Sequence, residues 1–64
     1  MGKTIAKIYD IVTEKKGYEG RVQFAQKTGV SKNKALKIKD SEENIRRFKA
    51  AASDFIGENI DHLL

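Results

Sequence analysis

Residues 24–38, FAQKTGVSKNKALKI, contain the signals that decide the fold. Two short helices cross at a steep angle only where a small residue lets their backbones approach and a tight turn reverses the chain. Ala25 is that small residue, and Gly29, four positions later, suits the positive φ of such a turn. Val30 then fills the angle between the helices, and Ser31 caps the second one. The spacing therefore predicts two helices joined by a sharp corner.

The segment after the corner has apolar residues at a helical interval. Ala35 and Ile38 face back to the core, and we expect this helix to end by Lys39 or Asp40. Leu36 then falls at an outward position. If Leu36 is buried instead, the helix is rotated and its lysines point elsewhere.

Helical periodicity extends on both sides of the corner. In residues 3–16 the apolar side chains follow the i, i+3, i+4, i+7 pattern, and Gly17 suits a left-handed C-terminal cap. Residues 18–20 are predicted as a short connector, followed by a second helix over residues 21–28. Gly29 ends that helix for the same reason as Gly17.

A longer helix is predicted after residue 40. Asp40 followed by Glu43 resembles a capping box, and Ser41 is the alternative cap. An apolar stripe runs to Gly57, and the last residues form a short turn or helix; the stripe comprises Ile45, Phe48, Ala52, Phe55 and Ile56. No alternating strand pattern occurs. We expect one all-α domain over residues 1–64, a compact orthogonal bundle of four or five short helices.

The composition limits what can stabilise the chain. It has 64 residues, no cysteine and one histidine, so neither a disulfide nor a metal cluster is expected to stabilise its single core. No stretch approaches the roughly 20 apolar residues of a membrane span, and the N-terminus lacks the apolar run of a secretory signal. We therefore expect a cytoplasmic protein without a membrane partner.

Positive charge is concentrated in the middle of the chain. Residues 21–39 contain six lysines and arginines and no acidic residue, whereas residues 40–64 contain six acids and three bases. Such asymmetry favours a polyanionic partner for one face. The alternative is a solvated lysine face that maintains solubility.

The corner resembles the helix-turn-helix of bacterial and phage repressors. Ala25, Gly29, Val30, Ser31 and Ile38 stand where that family has its alanine, glycine, angle-filling aliphatic, cap residue and last core aliphatic. The resemblance covers about 20 residues. The one helix before this helix-turn-helix and the longer one after it also resemble the repressor-like domains of four or five helices.

The resemblance implies a double-stranded DNA partner and a role in transcription regulation. The start of the helix near residues 31–39 would enter the major groove, where the side chains expected to contact bases are Ser31, Lys32, Asn33 and Lys37. The side chains expected to reach phosphates are Lys27, Lys34, Lys39 and Arg21.

Repressor-like domains commonly act as dimers, so a homodimer surface is expected. Its candidates are Phe55, Ile60, Leu63 and Leu64, in the last long helix and the tail. Core packing is the alternative for Phe55, and a frayed terminus is the alternative for the last two leucines.

Enzymatic chemistry is not expected. His62 has no cysteine or second histidine to pair with, and Gly2-Lys3-Thr4 lacks the strand and the upstream glycine of a phosphate-binding loop. No cofactor or small-molecule ligand is predicted. The rival to DNA binding is a protein-interaction or dimerisation module whose corner is only structural. Leu36 and the lack of arginine after the corner favour that rival; the acid-free stretch favours DNA.

Overall fold

The computed structural model describes residues 2–64, and that part of the chain is helical without a strand. Its elements are α1 (Lys3–Thr28), α2 (Lys32–Ala35), α3 (Glu42–Ile56) and a final 3-10 turn (Asp61–Leu63). The all-α prediction is confirmed. Residues 2–64 have three α-helices instead of four or five, because the first two predicted helices form one kinked segment. Within the same residues, no helix combines the length and apolarity needed to cross a bilayer.

The kink in α1 lies at Gly17. Its φ of 78° and ψ of −178° belong to a region of backbone conformation that only glycine adopts readily. The predicted break at Gly17 is confirmed, but the predicted connector over residues 18–20 is wrong, because helix resumes at once. Gly20 serves a different purpose from a turn. A Cβ added there would lie 2.2 Å from Lys16 Cβ, so the kink requires a residue without a side chain.

The core is one cluster that joins all three helices. The Tyr9 ring, in the first half of α1, packs edge-on against Phe24 in the second half, with ring centroids 5.0 Å apart. The same ring lies 6.1 Å from Phe48 of α3. The remaining fully buried members of the cluster are Ile5, Ile8, Val12, Ala35, Ala52 and Ile60. The kink thus brings both halves of α1 onto one core.

The start of α3 settles which residue caps it. Ser41 Oγ accepts a hydrogen bond from the Asn44 amide at 3.1 Å, so Ser41 is the cap and Asp40 is not. Asp40 instead accepts from the Thr4 amide at 3.2 Å, at the first turn of α1. Desolvation opposes the charged form of Asp40, but hydrogen bonds with Thr4 and Ile5 favour it, and the pKa of this carboxyl lies below its usual value. Asp40 therefore caps α1 from across the fold.

Candidate nucleic-acid interface

The corner between α1 and α2 has the local geometry that its residues predict. Gly29 is left-handed, with a φ of 75°, and its amide donates to the Ala25 carbonyl at 2.8 Å. Ser31 Oγ accepts from the Lys34 amide at 3.3 Å and caps α2. Val30 is partly buried against the core. These contacts define a sharp reversal in which the start of α2 is exposed beside the end of α1.

The buried Tyr9 holds the corner in place through hydrogen bonds of its hydroxyl group. Its hydroxyl donates to the Val30 carbonyl and lies 3.0 Å from Thr28 Oγ1. Burial raises the pKa of the Tyr9 phenol, although the hydrogen bond to Thr28 works in the opposite direction. Sequence periodicity places Tyr9 on the apolar face of its helix but does not reveal the hydroxyl contact, because both partners are distant in the chain.

α2 is shorter than predicted. The expected end at Lys39 or Asp40 is wrong, since α-helical geometry stops at Ala35. Beyond it the Ile38 amide donates to the Ala35 carbonyl at 3.1 Å, an i to i−3 bond that tightens the chain into a 3-10 turn. The Leu36 carbonyl is occupied by the Gly2 amide at 3.1 Å. The Leu36 carbonyl therefore bonds to the residue that precedes α1 and not to a further turn of α2.

The orientation of α2 follows from Ala35 and Leu36. Ala35 is fully buried and Ile38 packs against the core, as the sequence predicts. Leu36 is 45% exposed, so it is not a core residue, and the rotated arrangement considered for a buried Leu36 does not occur. The lysines around Leu36 consequently lie on the outer side of the corner.

Two of the predicted DNA contacts are engaged within the protein. Lys27 Nζ lies 3.1 Å from Asp54 Oδ2 of α3 and 5.9 Å from the centroid of the Phe55 ring. Lys32 Nζ pairs with Asp10 of α1. Both carboxylates are far away in the sequence, which is why the acid-free stretch gives no sign of them. A polyanion would have to compete with these acids for the two ammonium groups.

The other predicted contacts are accessible. Lys34, Lys37 and Lys39 are exposed, and none of them forms an ion pair within residues 2–64. Asn33 is exposed next to them. These four residues, called here the basic turn, lie before and after the exposed Leu36 in the chain.

An open groove of about 580 Å³ separates the second half of α1 from the start of α2. Its α1 wall includes Tyr18, 65% exposed, and Val22, 39% exposed. The Arg21 guanidinium lies 4.8 Å from the centroid of the Tyr18 ring. The remaining lining residues are Ala25, Gln26, Gly29, Ser31, Lys32, Asn33 and Lys34, so no carboxylate lines the groove.

Most residues of the predicted dimer surface are buried in the core or pack against it. Ile60 is completely buried, so its prediction as a surface residue is wrong. Phe55 is partly buried with its ring 5.6 Å from that of Phe24, which is the core packing considered as its alternative. Leu63 packs against the core, and Leu64 is 38% exposed.

His62 is exposed. Throughout residues 2–64, no group of three or more histidine, aspartate or glutamate side chains is placed to hold a metal ion. The described residues thus form a small all-α fold in which the basic turn follows the corner between α1 and α2. No family model, no curated protein and no solved structure matches the chain.

Proposed function

We propose that the protein is a DNA-binding module, a small transcriptional regulator whose orthogonal helix-turn-helix presents the basic turn to double-stranded DNA. The observation that carries the proposal is the exposure of Lys34, Lys37 and Lys39 without an ion pair in residues 2–64. Three neighbouring ammonium groups that form no ion pair within these residues attract a polyanion.

The roles of the individual residues follow from their surroundings. Asn33 and Lys37 are exposed and remain the side chains proposed to contact base edges. Ser31 is occupied in capping α2, so it orients the helix and contributes little to base contact. Lys34, Lys39 and Arg21 bind phosphates, which fix the position of the protein on the duplex.

Lys27 and Lys32 contribute less than the basic turn, because Asp54 and Asp10 already neutralise them. The α-helical part of α2 is a single turn, so few side chains can reach the bases at once. We therefore expect binding dominated by phosphates and strongly dependent on salt.

The second candidate function is a protein-interaction module, and the exposure of Leu36 favours it. An apolar side chain that is 45% exposed and flanked by lysines in the sequence suits a partner with an acidic and apolar surface. A reader of the major groove usually has a polar residue at such an outward position.

Fluorescence anisotropy of a labelled random-sequence duplex, measured at two salt concentrations, tests the proposal. The variant K34Q/K37Q/K39Q should lower the salt slope of log affinity by about 0.9 for each phosphate that it no longer neutralises. Its matched control is K3Q/K16Q/R47Q, which removes the same charge from exposed positions elsewhere. Absence of binding at low salt, or equally weakened binding in both variants, would contradict DNA binding by the basic turn.

A further inference from the structure

The groove between α1 and α2 combines two features that the proposed duplex contact does not use. Tyr18 and Val22 are two of the few large apolar side chains exposed in residues 2–64, and both lie on its α1 wall. Its lining also contains the cations Arg21, Lys32 and Lys34 and no carboxylate. An exposed aromatic ring within a basic groove is the combination by which proteins hold unpaired nucleotides.

The Tyr18 ring is exposed and already stacks with a cation of its own helix. Arg21 lies one helical turn later, and its guanidinium packs 4.8 Å from the ring centroid. With 65% of Tyr18 exposed, most of the side chain remains open to solvent. A base stacked on the ring would lie beside Arg21, whose guanidinium can donate to a phosphate.

The opposite wall supplies a second phosphate contact. Lys34 lines the groove from α2 and forms no ion pair within the described residues, whereas the Lys32 charge is directed to Asp10. Asn33 and Gln26 add amide groups that can bond to base edges. A volume of about 580 Å³ is in the range of pockets that hold small organic ligands, which is ample for one or two nucleotides.

We propose that this groove binds a short stretch of single-stranded DNA, with a base stacked on Tyr18 and the adjoining phosphates held by Arg21 and Lys34. The inference rests on the proposed function, because the groove shares Asn33 and Lys34 with the basic turn. It extends that function by giving the protein a contact with unpaired DNA that a closed duplex cannot make.

The test uses anisotropy of three labelled probes with the full chain: oligo(dT) of 12 nucleotides, an abasic strand with the same number of phosphates, and a 12-base-pair duplex. Oligo(dT) should bind about tenfold or more tightly than the abasic strand, because stacking on an aromatic ring contributes at that level. Equal affinity for oligo(dT) and the abasic strand would overturn the stacking inference.

Two substitutions at one exposed position sharpen the result. Tyr18→Leu should weaken oligo(dT) about tenfold and leave the duplex unchanged, whereas Tyr18→Phe should bind oligo(dT) as the parent protein does, because it retains the ring. Circular dichroism of both variants verifies that the fold is kept. If Y18L weakens both DNA forms equally or neither, the stacking role is wrong.

The two proposals fail separately. Duplex binding without oligo(dT) binding overturns the groove inference and leaves the proposed function intact. Oligo(dT) binding without duplex binding supports the groove and contradicts the duplex proposal. Failure of all three probes at low salt overturns both. Competition by poly-glutamate as effective as competition by unlabelled oligo(dT) would also overturn the groove inference, since it would identify an acidic protein segment as an equal occupant.

Discussion

α2 and α3 begin with the same capping chemistry but differ in the charge of the turn that follows. Ser31 and Ser41 each accept a hydrogen bond from the amide three residues later. The first turn of α3 carries two glutamates, which the helix dipole favours, whereas the first turn of α2 carries only lysines among its charged residues. Because α2 is a single turn, Lys32 and Lys34 also lie in its last turn, where the dipole favours cations, and Lys32 pairs with Asp10. The charge of α2 is thus the opposite of that at the start of α3.

The two helices also differ in what anchors them. α3 buries Phe48 and Ala52 over 15 residues, whereas α2 buries only Ala35. α3 is held by the core, and α2 depends on its cap, on Tyr9 below the corner and on its contact with Gly2. The part of the molecule proposed to bind DNA is thus its least anchored helix.

The largest difference should appear when each anchor is removed. Phe48→Ala should cost about 3–5 kcal/mol of unfolding free energy, most of what a domain of this size possesses. Ala35→Gly should cost about 1–2 kcal/mol, from one buried methyl group and the helix penalty of glycine. Urea unfolding followed by circular dichroism measures both. The exposed substitution Ala50→Ser is the control, and destabilisation of equal size at Phe48 and Ala35 would refute the difference in anchoring.

Removal of the Tyr9 hydroxyl tests the attachment of the corner. Tyr9→Phe keeps the ring in the core but removes one of the two hydroxyl donors to the Val30 carbonyl, the other being Thr28, at a cost of about 1 kcal/mol. The exposed Tyr18→Phe should leave stability unchanged. Unfolding free energies from urea titrations at neutral pH compare the two variants, and an unaltered Y9F would mean that the hydroxyl does not hold the corner.

The raised pKa of Tyr9 predicts a pH dependence with a definite sign. The folded protein favours the neutral phenol, so this contribution is complete below the unfolded pKa of about 10 and is lost as the pH rises through the folded value. The parent protein should therefore lose more stability than Y9F between about pH 9 and pH 11. Parallel loss in both proteins would show that other groups cause the alkaline decline.

The smallest effects should come from the caps. Ser41→Ala should cost about 1 kcal/mol of global stability, because α3 is part of the cooperative core. Ser31→Ala should change global stability less and act locally, by accelerating hydrogen exchange of the Lys34 amide. Native-state hydrogen exchange measured by NMR separates these outcomes. An S31A variant as destabilised as S41A would mean that α2 is part of the same cooperative unit.

Local signals carry most of what the sequence can predict. Helix breaks and caps can be predicted from the conformational preferences of single residues. Four such residues lie where the structure has a break or a cap: Gly17, Gly29, Ser31 and Gly57. Gly20 leads to the wrong prediction of a connector, because it is required for a close approach to Lys16 and not for a turn. The sequence alone does not distinguish a glycine required for space from a glycine required for a turn.

The site is less predictable than the fold because it depends on partners distant in the chain. Nothing near Lys27 or Lys32 in the sequence indicates Asp54 or Asp10. The residue after α2, Leu36, bonds through its carbonyl to Gly2, which is more than 30 residues away. Tyr18 is an exposed residue of α1, whereas the sequence predicts a connector at this position.

The kink at Gly17 also sets the size of the molecule. A straight α-helix of 26 residues would measure about 39 Å at 1.5 Å per residue, whereas the whole described chain extends only 25 Å along its longest axis. Without the kink, Phe24 would project far beyond Tyr9, and the corner would lie outside the reach of α3. One glycine in an unusual conformation thus divides a helix longer than the molecule into two segments that both pack on the core.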